Sequence, residues 1–281
     1  MARARGTPRS RKRGGAISTR DPAPRETAFQ ILTAHNPSPY TLEGTNTYVL
    51  GTGGRAVVID PGPEDSAHVA RVLAYAAAAG RRVALILLTH NHNDHRGAAD
   101  ALAHATGAQV RGWTGPEAPL RDREGITVDG GRLQVLHTPG HARDHVAFYW
   151  EEERVLFSGD LILGEGTVNI TPPGGSMADY LQSLERVAGL NLALIAPGHG
   201  PVIRAPRQRI TEYLAHRRRR EQQVLELLAD GPQTVQALVA TIYPDLDPRL
   251  RGAAAGTVAA HLEKLVDEGR ARQTGVSFTL R

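Results

Sequence analysis

Four side chains of metal-ligand type, His90, His92, Asp94 and His95, fall within the short stretch THNHNDH, residues 89–95. They follow VALILLTH, a continuous apolar run that suits a strand buried on both faces. Alternate residues leaving such a strand can point to one side. Asp94 and His95 then come at the turn into the next helix. Packing is a poor explanation for this crowding, because ligands bind at the open, carboxyl end of α/β sheets. A His-rich polar loop is the bland alternative, and three later segments count against it. His141 lies in TPGHARDH, Asp160 in LFSGD and His199 in APGHG. Each stands at the end of an apolar run beside glycine, which permits the tight turns that aim a side chain inward. Together these residues make a coherent dinuclear metal site. The chain has no cysteine, so imidazole and carboxylate would have to hold any zinc.

Four further residues have weaker claims. Asp144 and His145 follow His141 closely and would steady a ligand or contact substrate, or else form a solvated pair at a strand entry. Asp60 ends the run AVVID before Pro61-Gly62, where a hydrogen bond to a ligand histidine competes with a turn role. Asn46 in GTNTY either faces the site mouth or serves a turn. His35, His68, His104, His137, His216 and His261 have no metal spacing and are read as surface or core histidines.

The elements that must position the cluster are mixed α/β. TNTYVLG and RAVVIDPG read as strands joined at Gly51–Gly54. DSAHVARVLAYAAAAG reads as a helix capped at Asp65 or Ser66 and stopped at Gly80. DHRGAADALAHATG reads as a second helix. LQVLHTPG, HVAFYWEEERVLFSGD and LALIAPGH are further strands. No G-x-G-x-x-G follows the first strand, which excludes a Rossmann unit. An Arg-dense helix spans residues 207–222. Residues 223–281 read as three helices and a hairpin about Gly275, the outline of a winged helix. The domains are therefore a disordered basic tail (1–24), a catalytic domain (25–206), a linker helix (207–222) and a winged helix (223–281).

The 281 residues carry a net charge of +4, and its location matters. Residues 1–20 hold seven basic side chains and no acid, residues 21–206 are net acidic, and residues 207–281 are net basic. No apolar run approaches the roughly 18 residues of a membrane span, and no secretory signal is evident. A cytoplasmic protein is expected.

HNHNDH, the His of TPGH, the Asp of SGD and the His of PGHG resemble, in order, the ligand set of the metallo-β-lactamase superfamily. NPSPYTLEGTNTYVLG, LILGEGTVNI, YLAHRRRREQQVLELL and the winged-helix tail are similar to its beta-lactamase-like protein 2 group. This resemblance covers roughly residues 30–281. It implies an αββα sandwich with metals at one edge. His90, His92 and His141 would hold the first metal, Asp94, His95 and His199 the second, and Asp160 would bridge both. The donors suit two Zn²⁺, with Mn²⁺ or iron admitted. Two such ions would hold a bridging water as hydroxide for hydrolysis. Asp94 would orient that hydroxide as well as bind metal, which makes it the catalytic candidate.

The group includes endoribonucleases selective for single-stranded RNA and, more distantly, thioesterases acting on carrier-bound polyketides. RNA is placed slightly ahead of acyl thioesters, on the group resemblance, the basic ends and Arg217–Arg220. Those arginines are weighed as a phosphate-contacting surface against a solvated linker. The third wing helix, GTVAAHLEKLVDEG, carries Glu263, Asp267 and Glu268 and would read a major groove poorly. Homodimer formation or shaping of substrate access suits it at least as well. A non-enzymatic winged-helix binder of nucleic acid is the remaining alternative.

Overall fold

The computed structural model describes residues 29–51, 53–114 and 119–281. The basic tail assigned to residues 1–24 lies outside them. In chain order the elements are β1 (Phe29–Thr33), β2 (Asn46–Leu50), β3 (Arg55–Ile59), α1 (Ser66–Ala78), β4 (Arg82–Leu87), α2 (Asn93–Arg96), α3 (Ala99–Thr106), β5 (Gln109–Arg111), β6 (Gly125–Val128), β7 (Gly131–His137), β8 (Val146–Trp150), β9 (Val155–Gly159), α4 (Met177–Ala188), β10 (Leu194–Pro197), α5 (Pro206–Ala229), β11 (Gln233–Thr234), α6 (Val235–Ile242), α7 (Arg251–Asp267), β12 (Ala271–Thr274) and β13 (Ser277–Leu280).

Two five-stranded sheets, ordered β1-β2-β3-β4-β5 and β10-β9-β8-β7-β6, stack face to face. Their strands have two buried faces because side chains alternate. Val57 and Ile59 of β3 and Val155 and Phe157 of β9 point into the layer between the sheets. Ala56 and Val58 face outward under α1 and α3. Leu156 faces outward under α4 and α5. The result is the αββα sandwich expected from the resemblance. The run at residues 145–160 is a hairpin, β8 and β9 paired antiparallel.

The small C-terminal domain packs α6, α7 and the sheet β11-β13-β12 around Val224, Leu228, Leu238, Val258, Leu262 and Phe278. Two sequence expectations need correction here. The linker helix does not end near residue 222, because α5 runs unbroken to Ala229. Its first half packs on the sandwich and its second half belongs to the small domain's core. The helix expected over residues 94–107 is also broken. Gly97 passes so close to residues 63–64 that a Cβ there would lie 2.6 Å from Glu64 N. Ala98 N donates to the Gly62 carbonyl (3.0 Å) in place of a helical bond to Asp94, so α2 and α3 are separate pieces. Among the described residues, no helix is long and apolar enough to cross a membrane.

Candidate metal centre

The candidate ligands gather at the sandwich edge where loops stitch the two sheets together. Thr89, just past β4 of the first sheet, accepts a hydrogen bond on its carbonyl from Val146 N of β8 in the second (2.7 Å). Asn46 N of β2 donates to the Gly198 carbonyl in the loop after β10 (2.8 Å). His90 and His92 leave β4, Asp94 and His95 sit on α2, and His141 lies in the β7–β8 turn. Asp160 follows β9 and His199 follows β10.

Three overlapping groups have ligand atoms within 4.8 Å of one another: His90, His92 and His141; His90, His95 and Asp160; and Asp94, His95 and His199. Asp160 lies between the halves. One of its oxygens is 3.4 Å from the Nε2 atoms of both His95 and His199, and the other is 3.5 Å from His141 Nε2. Asp94 Oδ2 lies 3.3 Å from His199 Nε2.

The far side of each ring explains which nitrogen faces inward. His95 Nδ1 donates to Asp60 Oδ2 (2.9 Å), and Asp60 also accepts from Thr89 N (2.8 Å) and Thr89 Oγ1 (2.7 Å). Because Thr89 Oγ1 gives its proton to Asp60, it accepts from His90 Nδ1 (3.0 Å). His141 Nδ1 donates to the Asn169 carbonyl (2.8 Å), and His199 Nδ1 to that of Gly44 (3.2 Å). These four rings therefore keep a proton on the outward Nδ1 and turn Nε2 toward the site. His92 turns the other way, with Nδ1 3.0 Å from both His90 Nε2 and His141 Nε2.

This arrangement fits divalent cations. Tetrahedral zinc with bonds near 2.0–2.1 Å has ligand-to-ligand edges of roughly 3.3–3.4 Å. The nitrogen and oxygen separations in both halves lie near that length. Lone pairs aimed at one another repel unless a cation lies between them. The buried Asp160 Oδ1 has no hydrogen-bond partner, which marks the point where a positive charge is wanted.

Electrostatics divide the site into two halves. Burial, then neighbouring imidazoles, lower His90 and His92, keeping them in the neutral form that binds metal. In the other half burial opposes the charged form, but Asp160 and Asp60 together lift His95 well above its ordinary value, and Asp160 and Asp94 together lift His199 to about 9. The carboxylates there draw in positive charge, a proton in the absence of a stronger cation. Against burial, His199 and His95 hold Asp160 far below the usual carboxylate range.

The four weaker candidates separate. Asp60 is buried and steadies His95 directly. His145 is fully buried beneath the cluster. Its Nδ1 lies 2.9 Å from Thr138 Oγ1, and its Nε2 accepts from the backbone N of Asp160 (3.0 Å). Burial holds it down at about 3, so it remains the neutral acceptor that this bond needs. Asp144 accepts from Asn91 Nδ2 (2.6 Å) on the exposed rim. Asn46 points away from the mouth and braces the His199 loop, donating to the carbonyls of Pro197 (3.1 Å) and Gly200 (2.8 Å). Sequence reasoning missed Asn169. Its carbonyl orients His141, and its Oδ1 is held by the hydroxyls of Thr171 and Thr257 (both 3.1 Å).

A cavity of about 450 Å³ opens onto His92, Asp94, His141, Asp160 and His199. Its opposite wall comes from the C-terminal domain, through Leu246, Leu250, Ala254 and Thr257. Helix α7, weighed from sequence as a poor reader of a major groove and as an element shaping substrate access, lines the cavity, and its Ala260 is buried in the sandwich's outer core.

Residues 40–112 and 112–199 match the Metallo-beta-lactamase superfamily model, and residues 234–277 match the Beta-lactamase associated winged helix domain. A beta-lactamase-like protein 2 homolog of Drosophila melanogaster is 38% identical, over 84% of this chain and 87% of its own. An atrochrysone carboxyl ACP thioesterase of Aspergillus fumigatus is 34% identical, over 74% of this chain and 71% of its own. The crystal structure of a metallo-beta-lactamase family protein from Thermus thermophilus superposes with a TM-score of 0.77 at 31% identity, covering 91% of this chain and 99% of that one.

Proposed function

Because the chain belongs to the metallo-β-lactamase superfamily of metal-dependent hydrolases, we propose that its substrate is an acyl thioester whose acyl group occupies the cavity beside the ligand cluster. Two divalent ions, zinc by donor chemistry, would be held by His90, His92 and His141 on one side and Asp94, His95 and His199 on the other, with Asp160 between them. When bound, the ions supply Lewis acidity and a nucleophilic water at neutral pH.

The chain's own residues do the rest. Asp94 is only partly buried and lines the cavity, where it orients the attacking water and relays one of its protons to the departing thiolate. Leu42, Leu163 and Val168 on one side and Leu246, Leu250 and Ala254 on the other seat an apolar acyl group and exclude bulk water. Water adds to the carbonyl carbon, the C–S bond breaks, and the products are a carboxylic acid and a thiol.

The observation that carries this reading is the apolar, two-domain lining of the cavity. It reverses the order of substrates drawn from sequence. Single-stranded RNA calls for a free cationic track with stacking platforms. Three of the four consecutive arginines offer nothing to a strand on the outer surface, two being engaged there and one enclosed. Arg217 is buried, Arg218 pairs with Glu185 (3.3 Å), and Arg220 covers the Tyr243 ring and donates to Gln223 (2.7 Å). The named thioesterase relative supports the same choice.

The test offers metal-loaded wild type and Asp94→Ala a series of acyl N-acetylcysteamine thioesters and a labelled unstructured RNA. Thioester turnover that falls by about 10²–10⁴-fold in the variant, with RNA intact, is expected. RNA cleavage lost in the variant, with every thioester untouched, would replace the proposal with a nuclease.

A further inference from the structure

Arg217 lies midway along α5, is 2% exposed and lines the same cavity as the ligand cluster. Its guanidinium sits 5.2 Å from the centre of the Tyr180 ring, and Nη2 donates to the Val168 carbonyl. Its Nε is buried without a hydrogen-bond partner. Among the described residues Arg217 makes no ion pair. Glu165, the acid that lines the cavity apart from the candidate ligands, is exposed and does not pair with it.

A buried charge is ordinarily paired, because desolvation without a counter-charge is expensive. Arginine has no escape by losing its proton. Neither neighbouring histidine adds charge. Burial, then Arg217 itself, holds His216 down at about 4, and burial lowers His261. The cavity therefore keeps one fixed cation in a mostly apolar wall, separate from the metal ligands, with a counter-charge missing.

We propose that Arg217 receives a carboxylate at the far end of the acyl group, so that the preferred substrates are thioesters of dicarboxylic, ω-carboxyacyl chains. This rests on the thioester reading of the site. A carboxylate matches the planar donor fork of a single guanidinium. A phosphate dianion would call for additional donors, and among the described residues no other Lys or Arg lines the cavity.

The experiment compares kcat/KM for three N-acetylcysteamine thioesters of equal chain length, ending in methyl, carboxylate or phosphonate. Metal-loaded wild type, Arg217→Gln and Arg217→Lys are used. Wild type should favour the carboxylate end over methyl. The ratio should fall by about 10- to 100-fold in Arg217→Gln and recover in part in Arg217→Lys. A carbonyl-capping role alone would leave the ratio unmoved. An unchanged ratio in a folded variant, or a wild-type preference for phosphonate, overturns the assignment. Calorimetric titration of glutarate into metal-loaded wild type and both variants separates this proposal from the one beneath it. Weaker glutarate binding in Arg217→Gln sustains the carboxylate site even if no thioester is hydrolysed, and equal binding removes it. If Arg217→Gln fails to fold, Arg217→Lys supplies both comparisons, with a smaller expected drop.

Discussion

Replacing Asp60 by Asn tests whether the hydrogen bond behind His95 sets the metal-binding tautomer. Asp60 is buried, accepts three hydrogen bonds on its carboxylate and has a φ of +50°, a left-handed conformation that Asn adopts readily. Backbone strain is therefore not a confounding factor. With the Asn oxygen kept on Thr89 N, its NH₂ group meets the Thr89 hydroxyl proton and the His95 Nδ1 proton. His95 can relieve that conflict by moving its proton to Nε2, the atom 3.4 Å from Asp160. That nitrogen then no longer presents a lone pair to a cation.

Removing such a supporting partner typically lowers metal affinity by about 10- to 100-fold, or roughly 1.4–2.8 kcal/mol. Any donor left buried and unsatisfied would destabilise the apoprotein by about 1–3 kcal/mol. Competition with a chromophoric chelator at pH 7 measures the first effect, and urea denaturation of the apoprotein the second. Wild-type metal affinity in Asp60→Asn would refute the tautomer argument. Lost stability with unchanged affinity would leave Asp60 a purely structural residue.

Gly198→Ala would put a Cβ 2.7 Å from Asp160 Oδ1 and 2.8 Å from His95 Cε1. Metal affinity should drop at least about tenfold in a folded protein, and bound metal after dialysis checks this. Ala254→Phe fills part of the cavity from the α7 side, so the chain-length optimum should shift to shorter acyl groups. The long-to-short kcat/KM ratio should fall by about tenfold or more. His68 is buried, with Nε2 2.8 Å from Thr47 Oγ1. Burial first and Arg71 second lower it to about 4. Its folded value lies below its unfolded one, so it supports the fold fully above about pH 6.5 and loses that contribution as pH falls toward 4. Urea midpoints at pH 7 and pH 4.5 should therefore differ more in wild type than in His68→Gln.

The cluster was legible in the sequence because each member follows an apolar run at a strand end, so spacing and glycine punctuation carried the signal. Asp60 was visible for the same reason. Asn46 was not, since what it braces is a loop more than 150 residues away. Neither was the burial of Arg217, where four successive arginines suggest a solvated helix. Only the packing of α5 against Tyr180 and Val168 encloses it. Helix α4 could have been found from its Ser176 cap and the spacing of Met177, Tyr180, Leu184 and Val187. The short edge strands β1, β5 and β6 carry little period of their own and are specified by the strands beside them. The wall that α7 lends to the cavity depends on how the domains dock, which no local pattern encodes.

The most direct measurement is a titration of metal-free protein with Zn²⁺, following both ion binding and acyl thioester hydrolysis, for wild type and Asp160→Ala. Wild type should bind two ions per chain and reach full activity at the second equivalent, while Asp160→Ala should lose tight binding of at least one and most of the activity. Saturation of wild type at a single equivalent, or an Asp160→Ala protein that still binds two ions tightly and turns over normally, would contradict a dinuclear centre bridged by Asp160.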